Sequence, residues 1–219
     1  MSSFSSLPPS PPKPSPSPQS LQSLESLQQS IPPSPLPPRS LLFTLISLLG
    51  PISSSIHPTP LSSLPSSLTS FFSHLLLLSQ TLKISLSTSI QKKLLLNSKK
   101  YPAKLCKGKS GKYTSYTEQT GVTTSLTTQQ LSEDTVDLNL SYINLRDSIT
   151  EFAEARSWSK FHTPSNLLLA LTGEVGELVE IFQWLGEEEG YDKEHVMMEM
   201  ADCAIYVMRI GGVCGVDLV

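Results

Sequence analysis

Acidic residues are nearly missing from the first hundred positions. Glu25 stands alone there against seven Lys or Arg, a net +6, whereas positions 101–219 hold 18 acids and nine bases, a net −9. The overall charge of −3 supplies no basic face for a polyanion, so no nucleic-acid partner is expected. Cysteine is scarce as well. Cys106, Cys203 and Cys214 are odd in number and widely spaced, which excludes a disulfide framework and a zinc pattern and points to a reducing compartment such as the cytosol. Long apolar runs are also lacking. LLFTLISLLG (41–50) runs into Pro51, and FFSHLLLLSQTLKI (71–84) carries His74, Ser79 and Gln80. Both fall short of the ~20 apolar residues that a bilayer-crossing helix needs, so no membrane partner is expected. The Ser-rich, acid-poor start fits an organelle transit peptide, but Arg39 is its only arginine.

What is present divides the chain. Residues 1–70 are dominated by Ser, Pro and Leu, as in PPSPPKPSPSPQS and SIPPSPLPPRS. Prolines at that density remove helix donors, so residues 1–85 are expected to be a disordered Ser/Pro/Leu-rich region. Residues 86–123 change character, with Lys92, Lys93, Lys99 and Lys100 around an apolar patch and then a polar Gly/Ser/Thr stretch; 124–140 reads as linker. From about 141 the pattern turns helical, with Leu145, Ile149, Phe152 and Ala153 recurring at intervals of three and four. Thr163 and Pro164 suit the cap and first turn of a second helix, over about 165–185. Asp192 suits the cap of a third, over about 193–211, closed by Gly211 and Gly212. The expected fold is all-α, with no strand.

The stretch LTGEVGELVEIFQW (171–184) places Glu174 and Glu177 at i and i+3, about 60° apart on one helix face. Glu199 and Asp202 repeat that spacing on the next helix, and a short turn makes the two helices antiparallel neighbours. One such pair alone would read as a solvated surface. Here Leu169, Leu171, Val175, Leu178, Val179 and Phe182 interleave with the acids, so little of the helix can be freely wet. Four inward carboxylates need a hard cation, and oxygen-only ligands point to Mg²⁺ and a phosphate-bearing substrate. Gly173 and Gly176 weaken the helix by about 1 kcal/mol each relative to Ala, which suggests close approach by a backbone or ligand. Glu180 is a fifth acid one turn on, and His195 is expected on the surface.

The segments FAEARSWSKFHTPSNLLLALTGEVGELVEIFQW, EMADCAIYV and CGVDL closely resemble the all-α nucleoside triphosphate pyrophosphatases of the MazG type over 145–218. The family signature is E-x-x-E, a spacer, then E-x-x-D. Here it is Glu174-Val-Gly-Glu177, 21 residues, then Glu199-Met-Ala-Asp202. The resemblance implies an antiparallel helical bundle that hydrolyses a nucleoside triphosphate, preferentially dCTP or a modified relative, to the monophosphate and pyrophosphate. It implies that Glu174, Glu177, Glu199 and Asp202 are catalytic and hold Mg²⁺. It implies a nucleotide pocket of Trp158, Lys160, Phe161, His162, Trp184 and Tyr206, and a homo-oligomer. Ser157, Ser165 and Met198 depart from the usual family residues. Family members also continue past V-D-L with a fourth helix bearing K-x-x-x-N-x-x-K-Y-P. That text stands upstream here, as Lys93-LLL-Asn97-SK-Lys100-Tyr101-Pro102. Two arrangements produce this order. A tandem duplication would leave 141–219 as a domain truncated before its last helix, and with it an inactive copy that binds nucleotide or dimerises with an intact relative. A circular permutation would dock 88–101 into the open groove, bringing Lys93 and Asn97 to the triphosphate. The truncated tandem copy is the expected arrangement, because nothing in 1–85 resembles a designed N-terminus.

Overall fold

The computed structural model describes residues 17–57, 62–109, 136–185 and 190–219. The described residues form eight helices and no strand: α1 (Leu24–Ser30), α2 (Pro38–Ile56), α3 (Leu64–Thr81), α4 (Leu86–Lys100), α5 (Ala103–Cys106), α6 (Tyr142–Ala155), α7 (Pro164–Glu180) and α8 (Lys193–Cys214). The fold is all-α, as expected.

The last three helices start where their caps place them. Ser141 Oγ accepts from the Asn144 N–H, Thr163 Oγ1 from Asn166, and Asp192 from Glu194 and His195. Each cap satisfies N–H groups that the first turn leaves without an intrahelical partner. Helix α8 is the axis of the bundle, with α7, α4, α3 and α6 packed around it. Val196, Met200, Ala201, Cys203, Ala204, Val207, Met208 and Ile210 are buried along it. It does not end at Gly211 and Gly212. It runs on to Cys214 and closes at Gly215, whose φ of 70° is the left-handed conformation that glycine tolerates at a helix end. Gly211 has a packing role instead: a Cβ there would lie 3.0 Å from the Val216 carbonyl oxygen.

The expectation of disorder over 1–85 is corrected wherever that region is described; residues 1–16 and 58–61 lie outside the described residues. Helices α2 and α3 form a hairpin that packs on α7 and α8, and α1 packs on α3 and α4. Leu45, Ile52, Leu68, Phe71, Phe72, Leu75 and Leu78 are fully buried in the same core cluster as Leu171, Leu178 and Met200. The apolar residues of the region are numerous enough to build helices, and their partner is the rest of the chain. The α1 side chain Gln28 clamps the turn between α3 and α4: its Nε2 donates to the Ile84 carbonyl at 2.7 Å, and its Oε1 accepts from the Leu86 N–H at 3.1 Å. At 19 residues, α2 is longer than its uninterrupted run suggested, and by length and composition alone it could cross a membrane.

On the arrangement of a domain truncated before its last helix, the described residues show where α4 lies. Helix α4 lies in the groove against α8 and α6, with Leu86 and Ile90 fully buried. One core cluster runs through described residues on both sides of positions 85/86 and 140/141. Most of the polar stretch that ends the 86–123 segment, together with the 124–140 linker up to 135, lies outside the described residues.

Candidate functional site

Glu174 and Glu177 on α7 meet Glu199 on α8, with one carboxylate oxygen from each within 4.8 Å of the others. Glu199 is 8% exposed, and its Oε2 is buried with no hydrogen-bond partner among the described residues. Burial, and then the Asp202, Glu177 and Glu199 charges, push the Glu174 carboxyl up to about 7. Burial also raises Glu199 and Asp202 above the usual carboxylate range, while the Lys93 ammonium opposes the shift at both. Like charges in a drying environment raise each other's proton affinity, and a bound cation would reverse that. An orphaned buried oxygen on a carboxylate clustered with two others is donor chemistry that a hard divalent cation takes.

Asp202 stands apart from this trio. Its Oδ2 is ion-paired with Lys93 of α4, so the upstream helix supplies the cation that faces it. Asn97 follows Lys93 by one helical turn and is half-buried. His195, expected to be a bystander, has Nε2 3.6 Å from Glu199 Oε1 while its side chain stays 56% exposed. The i,i+4 spacing of His195 and Glu199 was a readable signal for that contact. Glu180 is exposed and outside the carboxylate trio. Gly173 and Gly176 face open space, since a Cβ at either meets no atom within 4 Å. No backbone among the described residues requires glycine there.

The aromatic side of the site is set by the end of α6. Arg156 caps the helix and Ser157 takes φ 54°. The Ser157 N–H donates to the Glu154 carbonyl at 2.8 Å and the Trp158 N–H to the Ala153 carbonyl at 2.9 Å, the paired bonds of a Schellman ending. This ending throws Trp158 back onto Phe152, ring centroids 5.8 Å apart, with Tyr101 edge-on at 5.4 Å and His162 at 6.1 Å. The indole N–H donates to the Lys109 carbonyl at 2.8 Å. Arg156 holds this strap in place: its Nε donates to the Tyr101 carbonyl at 2.7 Å, and its guanidinium lies 3.5 Å over the Phe152 ring. Tyr206 links the two halves of the site. Burial, then Glu174 and Asp202, then Tyr101, raise its phenol well above the ordinary value.

The predicted pocket residues are thus only partly brought together. Trp158 and His162 meet, and Tyr206 interacts with Tyr101, which packs on Trp158. Phe161 is half-buried, and Lys160 is exposed with its ammonium 4.8 Å from the Phe161 ring centroid. Trp184 is 86% exposed and makes no aromatic pair among the described residues. Tyr101, Lys109, Arg156 and Arg209 were missed. Arg209 lies two turns after Asp202 on the same helix face, which the sequence did show; nothing local marks Lys109.

Compared with known proteins, the chain is 43% identical to dCTP pyrophosphatase 1 of Bos taurus over 82 residues, which is 34% of this chain and 48% of the relative. The Rattus norvegicus and Homo sapiens proteins of the same name are 44% and 43% identical over the same extent. The chain spans about half the length of these curated relatives. No protein-family model matches it, and no solved structure matches it significantly.

Proposed function

We propose, from the likeness of the matched segment to dCTP pyrophosphatase 1, that the chain hydrolyses dCTP, or a base-modified dCTP, to the monophosphate and pyrophosphate. The carrying observation is the carboxylate trio Glu174, Glu177 and Glu199, with an orphaned buried oxygen on Glu199, joined through Tyr206 to an aromatic cluster. The trio, with Asp202 at its edge, would hold Mg²⁺. When bound, Mg²⁺ neutralises phosphate oxygens and lowers the pKa of a water.

The remaining work falls to the chain's own side chains. Trp158, supported edge-on by Tyr101 and Phe152, offers an indole face to the base. Lys93 meets the triphosphate from α4, exchanging Asp202 for phosphate oxygens, and Asn97 contacts it one turn on. Attack by water at the α-phosphorus breaks the bond to the bridging oxygen, and pyrophosphate leaves. One of the carboxylates at the site receives the water's proton.

The rival reading is an inactive truncated copy. The docking of α4 weighs against it, because the groove that truncation would leave open is filled from within the chain. Pyrophosphate release from dCTP with Mg²⁺, measured beside dTTP, dATP and dGTP, tests the proposal. Release selective for dCTP and at least about 100-fold lower in Glu174→Ala is expected, the scale of losing a group that acts on transition-state charge. A folded wild-type chain that releases no pyrophosphate from any of the four would overturn it.

A further inference from the structure

Arg209 is 7% exposed and has no carboxylate within ion-pair distance among the described residues. Keeping a guanidinium in such a place is costly unless its donors are used. Two of them are. Nε donates to His162 Nδ1 at 3.2 Å, and Nη1 donates to Thr150 Oγ1 at 3.3 Å. The Thr150 hydroxyl donates its own proton to the Arg146 carbonyl at 3.0 Å, so a lone pair is left for Arg209. Arginine has no acceptor and keeps its protons. His162 Nδ1 must therefore be the acceptor, and the neutral ring carries its proton on Nε2.

We propose that Arg209 is a positioning residue that holds His162 as the Nε2–H tautomer, so that the ring presents a neutral hydrogen-bond donor to the base of the bound nucleotide. The proposal rests on the nucleotide-hydrolase reading above. Its chemical consequence is specific. A neutral donor pairs with a base carbonyl or an unprotonated ring nitrogen, and it leaves phosphate charge to Lys93. Burial, reinforced by the Arg209 charge, lowers the His162 imidazolium to about 4, in keeping with a ring that stays neutral. The Trp158 ring beside it gives the donor a stacking platform for the same base.

The test is side-chain ¹⁵N NMR of the full-length chain at neutral pH, with the His162 signals assigned by their loss in His162→Gln. His74 supplies an internal contrast, since its Nδ1 faces the Ser70 carbonyl at 2.8 Å and must carry the proton there. His162 is expected to show a protonated Nε2 and a bare Nδ1, and Arg209→Met is expected to collapse this into averaged tautomers. A His162 protonated on Nδ1, or a pattern unchanged in Arg209→Met, would overturn the proposal. Should Arg209→Met fail to fold, the wild-type tautomer together with two His162 variants decides. His162→Gln keeps a donor near the Nε2 position and is expected to leave KM for dCTP within about threefold. His162→Asn, which cannot reach that position, is expected to raise KM about tenfold or more with kcat nearly unchanged, the cost of one hydrogen bond. Equal KM values for the two variants would remove the donor role. Absence of turnover in the wild type would sink the hydrolase reading while the NMR result still decides the tautomer.

Discussion

The hairpin of α2 and α3 and the pair of α7 and α8 are both antiparallel and both packed into one core, yet they use opposite surface chemistry. The hairpin helices carry a single charged side chain, Arg39, whereas α7 and α8 between them carry three Glu, then Glu194, Glu199, Asp202, Lys193 and Arg209. On the hairpin most polar positions are Ser and Thr, with Arg39, His74 and Gln80 beside them. Their hydroxyls turn back onto their own helix: Thr44 donates to the Ser40 carbonyl, Ser55 to Pro51, Ser67 to Ser63, Ser79 to Leu76 and Thr81 to Leu77. Such local bonding lets serine sit in a helix interior without a solvent-facing charge. A helix can therefore be amphipathic in Leu against Ser, with nothing charged to mark its wet side.

That contrast predicts interdependence, and the largest test removes one side. A chain of residues 136–219 alone exposes the α7 and α8 faces that the hairpin covers and leaves the α4 groove open. It is expected to show no cooperative melt by circular dichroism, whereas 17–219 melts in one transition. A cooperative melt of 136–219 would mean that the two halves are independent units. A smaller intervention probes the same joint. Phe72 is fully buried and meets Tyr142 edge-on at 5.7 Å, so it bridges the hairpin and α6. Phe72→Ala is expected to cost about 3–5 kcal/mol in urea unfolding, with the whole molecule still unfolding together. A separate early transition of the hairpin would break the comparison.

The same contrast explains what the sequence could show. The starts of α6, α7 and α8 were legible because Ser141, Thr163 and Asp192 are caps at the head of 3.6-periodic runs. The carboxylate trio was legible from i,i+3 spacing on adjacent helices. Helices α2 and α3 were not, because proline and serine were counted as disorder although the stretch 41–84 has neither the low hydrophobicity nor the high net charge that keeps a chain unfolded. Pro38 and Pro65 sit in first turns, where a proline costs no hydrogen bond. Arg156 and Lys109 were hidden for another reason: their roles are contacts across the fold, and local pattern does not encode them.

Titration acts outside the hairpin. In metal-free protein the Glu174 carboxyl, raised to about 7, holds its proton more tightly folded than unfolded. Its stabilising contribution is full below the ordinary value near 4.5 and is lost as pH rises through about 7. His162 works in the other direction: lowered to about 4, it contributes stability above about 6.5 that is lost as pH falls through about 4. Mg²⁺ is therefore expected to raise Tm by a few degrees at pH 8 and by less at pH 5, since the cation competes with protons for the carboxylates. Scans in EDTA and in Mg²⁺ check this, and an equal gain at both pH values would argue that the cation binds elsewhere.

The smallest effect lies at the joint between helix and pocket. Ser157 holds φ 54° at the position of the Schellman ending that glycine usually fills. A side chain in that conformation costs about 1–2 kcal/mol, which glycine would avoid while losing part of the gain to unfolded-state entropy. Ser157→Gly is expected to raise Tm by about 2–4 °C, the equivalent of roughly 1 kcal/mol in a chain of this size. Ser157→Val, branched at Cβ, is expected to lower it by at least as much. Because Trp158 follows directly, the same two variants report on the pocket. If stability shifts as expected while KM for dCTP stays fixed, the ending serves the fold alone. If KM moves with Tm, the strained serine also sets the angle at which the indole meets the base.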